Sequence, residues 1–130
     1  MEVVEERRRM RRAALESAAK AVERIEEVLG PVSAVVIGSY ARGDFNRWSD
    51  VDLLVVSPNF YPNPLKRFEQ VLEAMKASPN VEIIPLTPAE FQRQLRLKTP
   101  IAEEATKKGI VVRDGLNLLK EREKGSEAEL

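Results

Sequence analysis

The sequence predicts an α+β fold, a small mixed β-sheet backed by helices, with a long N-terminal helix. Three observations carry this. Leu15, Ala18, Val22, Ile25 and Leu29 recur at three- and four-residue steps, the period of one helical face. Short apolar runs at 32–37, 50–56 and 81–86 have strand length and are rich in Val and Ile. Helical patterns separate and follow these runs, so strands and helices alternate around one core.

Composition narrows what such a fold can do. At 130 residues with 43% hydrophobic content, the chain suits a single domain with a real core. We read that domain as 1–114, its N-terminal helix as 1–30, and 115–130 as a C-terminal tail, partly disordered. Lys plus Arg and Asp plus Glu balance at 21 each, so no global basic field draws in nucleic acid. Without Cys there are no disulfides or thiolate metal sites. Without His there is no Ser-His-Asp triad and no imidazole-ligated zinc. Acid–base or metal chemistry must therefore use carboxylates, Lys, Tyr or water. No apolar run approaches the roughly 20 residues that span a bilayer, and the charged start lacks a signal peptide's apolar core. A cytoplasmic location is the default.

In chain order, the first helix ends at Gly30-Pro31, a stop followed by a breaker. Its start carries Arg7, Arg8, Arg9, Arg11 and Arg12 beside Glu2, Glu5 and Glu6, and is read as a solvated or fraying arm. An RNA or partner contact is the alternative. Residues 32–37 form the first strand, apolar enough to be buried on both faces. A short helix follows at 39–42, then a loop at 43–49 whose Trp48 is read as packing rather than as a base-stacking ring. The second strand covers 50–56. The turn-rich loop 57–64 holds three prolines and is read as packed, with Phe60 and Tyr61 inside it. A helix at 65–77 turns Leu65, Phe68, Val71, Leu72 and Met75 to the core. The third strand, 81–86, carries Glu82. Thr87-Pro88-Ala89-Glu90 has the order of a capping box with Pro at the first helical position. Thr99-Pro100 starts another helix, acidic at its start and basic at its end, which Gly109 closes. Residues 110–113 form a last short strand. Leu116, Leu118 and Leu119 allow one more helical turn, and 124–130 is read as disordered.

The chemistry concentrates in 35–56, VVIGSYARGDFNRWSDVDLLVV. Gly38 lets backbone come close to a ligand because it has no Cβ. Ser39 can cap a helix start, where free N–H groups favour phosphate. Asp50 and Asp52 alternate along a strand and so project to one face. Two carboxylates that close repel unless a cation lies between them. Hard oxygen ligands beside a phosphate site suit Mg²⁺.

Gly38-Ser39, Ala41-Arg42-Gly43 and Ser49-Asp50-Val51-Asp52-Leu53 together resemble the signature of the DNA polymerase β nucleotidyltransferase superfamily. The nearest resemblance is to its small stand-alone branch, the minimal nucleotidyltransferases. It is sharpest over 35–56 and extends at lower specificity over 32–113. All three blocks agree in order and spacing, whereas a lone Gly-Ser or Asp-x-Asp would be weak.

The resemblance implies the polymerase β-like nucleotidyltransferase fold and transfer of NMP, AMP above all, from a nucleoside triphosphate such as ATP. It implies two Mg²⁺ ions on Asp50 and Asp52. It also implies a third carboxylate on the strand after the second strand and its helix. Glu82 matches that position, although many relatives have Asp there. The added methylene exceeds the roughly 0.5 Å that a catalytic geometry tolerates unless the backbone compensates. Otherwise Glu82 is a charged residue on the solvent face of an edge strand. The nucleotide-binding candidates are Gly38, Ser39, Arg42 and Ser49. Arg42 has two equal readings, neutralising phosphate or pinning the loop through Asp44 or Asp50. Ser49 is read as orienting the loop before Asp50.

Larger members of the superfamily append a domain that grips base and acceptor, and no second domain is legible in this sequence. Minimal nucleotidyltransferases commonly pair with a small helical HEPN-type protein as toxin and antitoxin, and can transfer AMP to a tyrosine of that partner. Three hypotheses remain: an active enzyme acting on a protein hydroxyl, an antitoxin with idle carboxylates, and a small-molecule (antibiotic) nucleotidyltransferase. A homo-oligomer is left open.

Overall fold

The structure is a computed structural model describing residues 2–119. Helix α1 (Glu2–Leu29) leads through Gly30-Pro31 into strand β1 (Ser33–Ile37), followed by the single-turn helix α2 (Ser39–Arg42). Strand β2 (Val51–Val56), helix α3 (Arg67–Ala77) and strand β3 (Val81–Leu86) come next. Helices α4 (Pro88–Leu97) and α5 (Pro100–Lys107) precede strand β4 (Ile110–Asp114).

The sheet runs in the order β3-β2-β1-β4. β1 is antiparallel to β2 and β4, and β2 is parallel to β3, so the sheet is mixed. A parallel pair needs a long crossover, and the segment containing α3 supplies it. The two central strands are buried on both faces, which is why they read as continuous apolar runs. Val36, Leu53, Val55 and Val81 pack against Ala18, Val22 and Ile25 of α1 and Val71 and Ala74 of α3. On the other face Val35, Ile37, Leu54 and Val56 pack with Phe91 of α4 and Ala105 of α5. The alternation along β2 and β3 assigns Asp52 and Glu82 to this second face, at its open end.

Several local expectations are corrected. β2 begins at Val51, so Asp50 lies one residue before the strand. Residues 64–66 form a 3₁₀ turn and α3 starts at Arg67, which rotates Leu65 (87% exposed) and Phe68 (55% exposed) off the core face. The cause is Arg67, which is 2% exposed and takes the buried position instead. Its Nε donates to the Tyr61 carbonyl at 2.7 Å and its Nη1 to the Pro85 carbonyl at 3.1 Å. Nη1 and Nη2 also donate to Oε1 and Oε2 of Glu90 at 2.7 and 3.2 Å, a two-pronged pair. Glu90 closes the capping box with Thr87 in the same place, and the Arg67 hydrogen bond holds its carboxyl below the usual range. Phe60 is buried, whereas Tyr61 is exposed.

The Arg-rich start of α1 does structural work at one position. Arg7 donates to the carbonyls of Gly43 and Phe45, and its guanidinium lies 4.2 Å from the centre of the Phe45 ring. Phe45 in turn stacks on Tyr40 at 4.4 Å. Arg8, Arg9, Arg11 and Arg12 are exposed. Past β4, the Asp114 carboxylate accepts from the N–H groups of Leu118 and Leu119, and Leu119 is buried in the second core. The expected disorder at 124–130 falls outside the described residues. Among the described residues no helix is long and apolar enough to cross a membrane.

Candidate active site

The site is built where β1 ends against the start of β2. Register pairs Ile37 with Asp52, and the chain then turns at Gly38 with φ 76° and ψ −153°. That backbone is strained for any residue with a side chain. Space forbids one as well, because a Cβ on Gly38 would stand 2.3 Å from Oδ2 of Asp52. The turn is thus folded directly over the carboxylate. Gly38, rather than Ser39, occupies the N-cap position of α2, and no side chain caps this helix. Ser39 is instead its first residue, half-buried beside the turn.

The loop back to β2 is held by its own polar groups. The Asn46 N–H donates to Ser49 Oγ at 2.9 Å, and the Trp48 N–H donates to Asn46 Oδ1 at 2.8 Å. Ser49 therefore serves the loop. Trp48 is 86% exposed, which corrects the expectation that it packs. The hydrogen bonds fold the loop with the indole outside.

Asp52 and Glu82 are brought together by the parallel register, which sets them side by side on adjacent strands. The Val51 N–H donates to the Asn80 carbonyl at 2.9 Å and fixes the two strand starts. Partial burial, chiefly, pushes the Asp52 carboxyl up, and the charge of Glu82 and a proton shared with it add to this. Asp50 and Glu104 act on Asp52 through charge alone. Asp50 and Glu82 themselves are exposed.

Arg42 does not turn to Asp50. Its Nε donates to Asp44 at 3.3 Å and its Nη1 to Oε1 of Glu104, and these two bonds raise its pKa. Glu104 is the site residue that sequence reading missed. Its position near the start of α5 marked it as a helix-end acid, and only the packing of α5 beside the sheet brings it to Arg42.

Among the described residues, no three His, Cys, Asp or Glu side chains stand where they could hold a metal ion between them. The donor set still fits Mg²⁺, which binds through one or two carboxylates completed by substrate phosphates rather than through an all-protein cage. Asp52 and Glu82 are two such carboxylates, and their mutual repulsion favours a cation. A groove of about 400 Å³ runs beside them between α3 and the free edge of β3. Phe68, Val71, Met75 and Ile83 line it, with Asp50 and Glu82 at its acidic end.

Comparison with known proteins shows the family and the fold. The family model described as a nucleotidyltransferase domain matches residues 15–112. The chain belongs to this family. A Sulfolobus solfataricus protein proposed to be a nucleotidyltransferase shares the fold of this nucleotidyltransferase domain, with 23% identity and a TM-score of 0.61 over 81% of this chain and 84% of that one. A mutant of the toxin–antitoxin pair MntA–HpeT, carrying two Asp-to-Glu substitutions, is 14% identical with a TM-score of 0.51, over 85% and 87% of the two chains. A toxin–antitoxin structure with AMP-PNP is 14% identical with a TM-score of 0.48 over the same shares. Among curated proteins no match was found. The long helix and mixed sheet of this nucleotidyltransferase domain are a fold shared with the Sulfolobus solfataricus protein.

Proposed function

We propose that the chain is a Mg²⁺-dependent nucleotidyltransferase that moves AMP from ATP to a protein hydroxyl, a tyrosine of a HEPN-type toxin partner, and so acts as an antitoxin. The observation that carries this reading is the parallel register that pairs Asp52 with Glu82 beneath the Gly38 turn.

In this reading the triphosphate lies along Gly38 and Ser39, where absence of a side chain at Gly38 leaves backbone N–H groups open to phosphate oxygens. Arg42 neutralises phosphate charge. Asp52 and Glu82 would hold Mg²⁺, with Asp50 joining them once substrate phosphates complete two ion sites, and the metal would supply Lewis-acid stabilisation of the leaving pyrophosphate and a lowered pKa at the acceptor hydroxyl. The acceptor reaches Glu82 from the groove beside α3. Its oxygen forms a bond to the α-phosphorus, the bond to pyrophosphate breaks, and Glu82 takes the hydroxyl proton. The absence of His is no obstacle to such a step.

Two observations favour a second reading, an antitoxin with idle carboxylates. Glu82 is exposed, and no three-carboxylate arrangement is formed among the described residues. Incubation with ATP labelled at the α-phosphate, Mg²⁺ and the product of the neighbouring gene separates the two. Label on that partner, lost in Asp50→Ala and Asp52→Ala, supports transfer. Neutralisation of the partner that survives both substitutions supports binding alone. Label on an aminoglycoside instead would move the acceptor to a small molecule.

A further inference from the structure

We propose that Glu104 competes with the nucleotide for Arg42, its carboxylate occupying the place that a phosphate oxygen takes when the triphosphate binds. This rests on the nucleotidyltransferase reading of the Gly38–Ser39 turn.

Arg42 is the last residue of α2, one turn from Gly38. Its guanidinium is shared between Asp44 on its own loop and Glu104 on α5, 62 residues further along the chain. Both contacts lie near the surface. The side chains of Arg42 and Glu104 are 41% and 30% exposed. Ion pairs open to water exchange partners easily, because solvent and competing ions screen them. A guanidinium fork fits a carboxylate and a phosphate with the same geometry.

The neighbouring acid behaves differently. Glu103 pairs with Lys107 four residues on, at 2.6 Å, an ordinary helical pair. Glu104 has Lys108 at the same spacing, yet reaches across to Arg42. Its charge is also felt at Asp52. Glu104 therefore competes with an incoming polyanion for Arg42, and opposes any anion too weakly bound to displace it.

The consequence is a signed effect on affinity. Glu104→Gln removes a negative charge beside a triphosphate site and loosens the hold on Arg42, so nucleotide binds more tightly, by about 3- to 10-fold. Calorimetric titration of the full chain with a non-hydrolysable ATP analogue and Mg²⁺ reads this directly. Arg42→Gln weakens binding, and in the Arg42→Gln background Glu104→Gln loses most of its gain. Glu103→Gln makes the same change in net charge one residue away and leaves affinity as it was. Circular dichroism verifies that each variant is folded. Unchanged or weaker binding in Glu104→Gln overturns the proposal, as does an equal gain in Glu103→Gln. A wild-type chain that binds no nucleotide overturns the nucleotidyltransferase reading and this role with it.

Discussion

Gly38 is packed against Asp52 so tightly that a single methyl group at position 38 would stand 2.3 Å from the carboxylate oxygen. The backbone there is also left-handed, at φ 76°. Gly38→Ala therefore meets two obstacles at once, a strained conformation and a clash. The expected cost is about 1–3 kcal/mol of stability. Loss of nucleotide binding should exceed what that destabilisation explains, since Asp52 must move. Chemical denaturation and calorimetric titration of the same preparation check both. Full affinity in Gly38→Ala would show that the turn does not cradle phosphate.

The Asp52 carboxyl sits above its ordinary value of 3.8, because burial and then Glu82 disfavour its charge. A carboxyl that holds its proton more tightly folded than unfolded stabilises the fold below its ordinary value. That contribution is lost as pH rises through the folded value. At neutral pH without divalent ions, the charged pair is thus a liability. Asp52→Asn should raise stability there by about 0.5–1 kcal/mol after solvent screening. The gain should vanish as pH falls toward 4. Thermal melts across pH measure it. Added Mg²⁺ should stabilise the wild type and not Asp52→Asn, and an equal response of both proteins would remove Asp52 from the cation site.

Arg67 ties residues 61–62, the end of β3 and the start of α4 to one buried guanidinium. Arg67→Met keeps the stem but leaves those carbonyls and Glu90 without their donor. The expected loss is about 3 kcal/mol, read from denaturation midpoints. The Glu90 carboxyl is held low, chiefly by Arg67. Its contribution is present above the ordinary carboxylate range and fades as pH falls through the folded value. Acid unfolding of the wild type should therefore steepen there, and Glu90→Gln should remove that steepening.

Trp48 is the chain's only tryptophan, and its ring stands in water. Fluorescence should show the red-shifted emission of an exposed indole. Trp48→Ala should leave stability within about 0.5 kcal/mol. A blue-shifted maximum in the isolated chain would contradict the exposed position.

Much of this arrangement was legible in the sequence because it depends on local pattern. The long helix, the two central strands and the capping box at Thr87–Glu90 each have a period or a spacing that physics ties to one structure. The side-by-side register of Asp52 and Glu82 was not of that kind. Nothing in the sequence alone fixes which residues two strands joined by a crossover will align, and only the family resemblance pointed to Glu82. Arg67 was hidden because a buried Arg reads as a surface residue until its carbonyl partners are known. That error carried Leu65 and Phe68 to the wrong side of α3. Glu104 was hidden for a related reason, since its partner lies 62 residues away. Trp48 was misjudged because a large ring is usually covered, whereas here short polar bonds within the loop keep it outside.

The strand order has a kinetic consequence. The Gly38 turn closes β1, while the groove follows the outer edge of β3, with β2 between them. On the proposed reading, a donor on the turn and an acceptor in the groove have separate doors, and neither blocks the way of the other. Loading in either sequence is then productive, and pyrophosphate can depart while the modified acceptor is still seated. Initial-rate lines for the two substrates should cross, as they do when both are held at once, and no nucleotidylated form of the chain itself should accumulate.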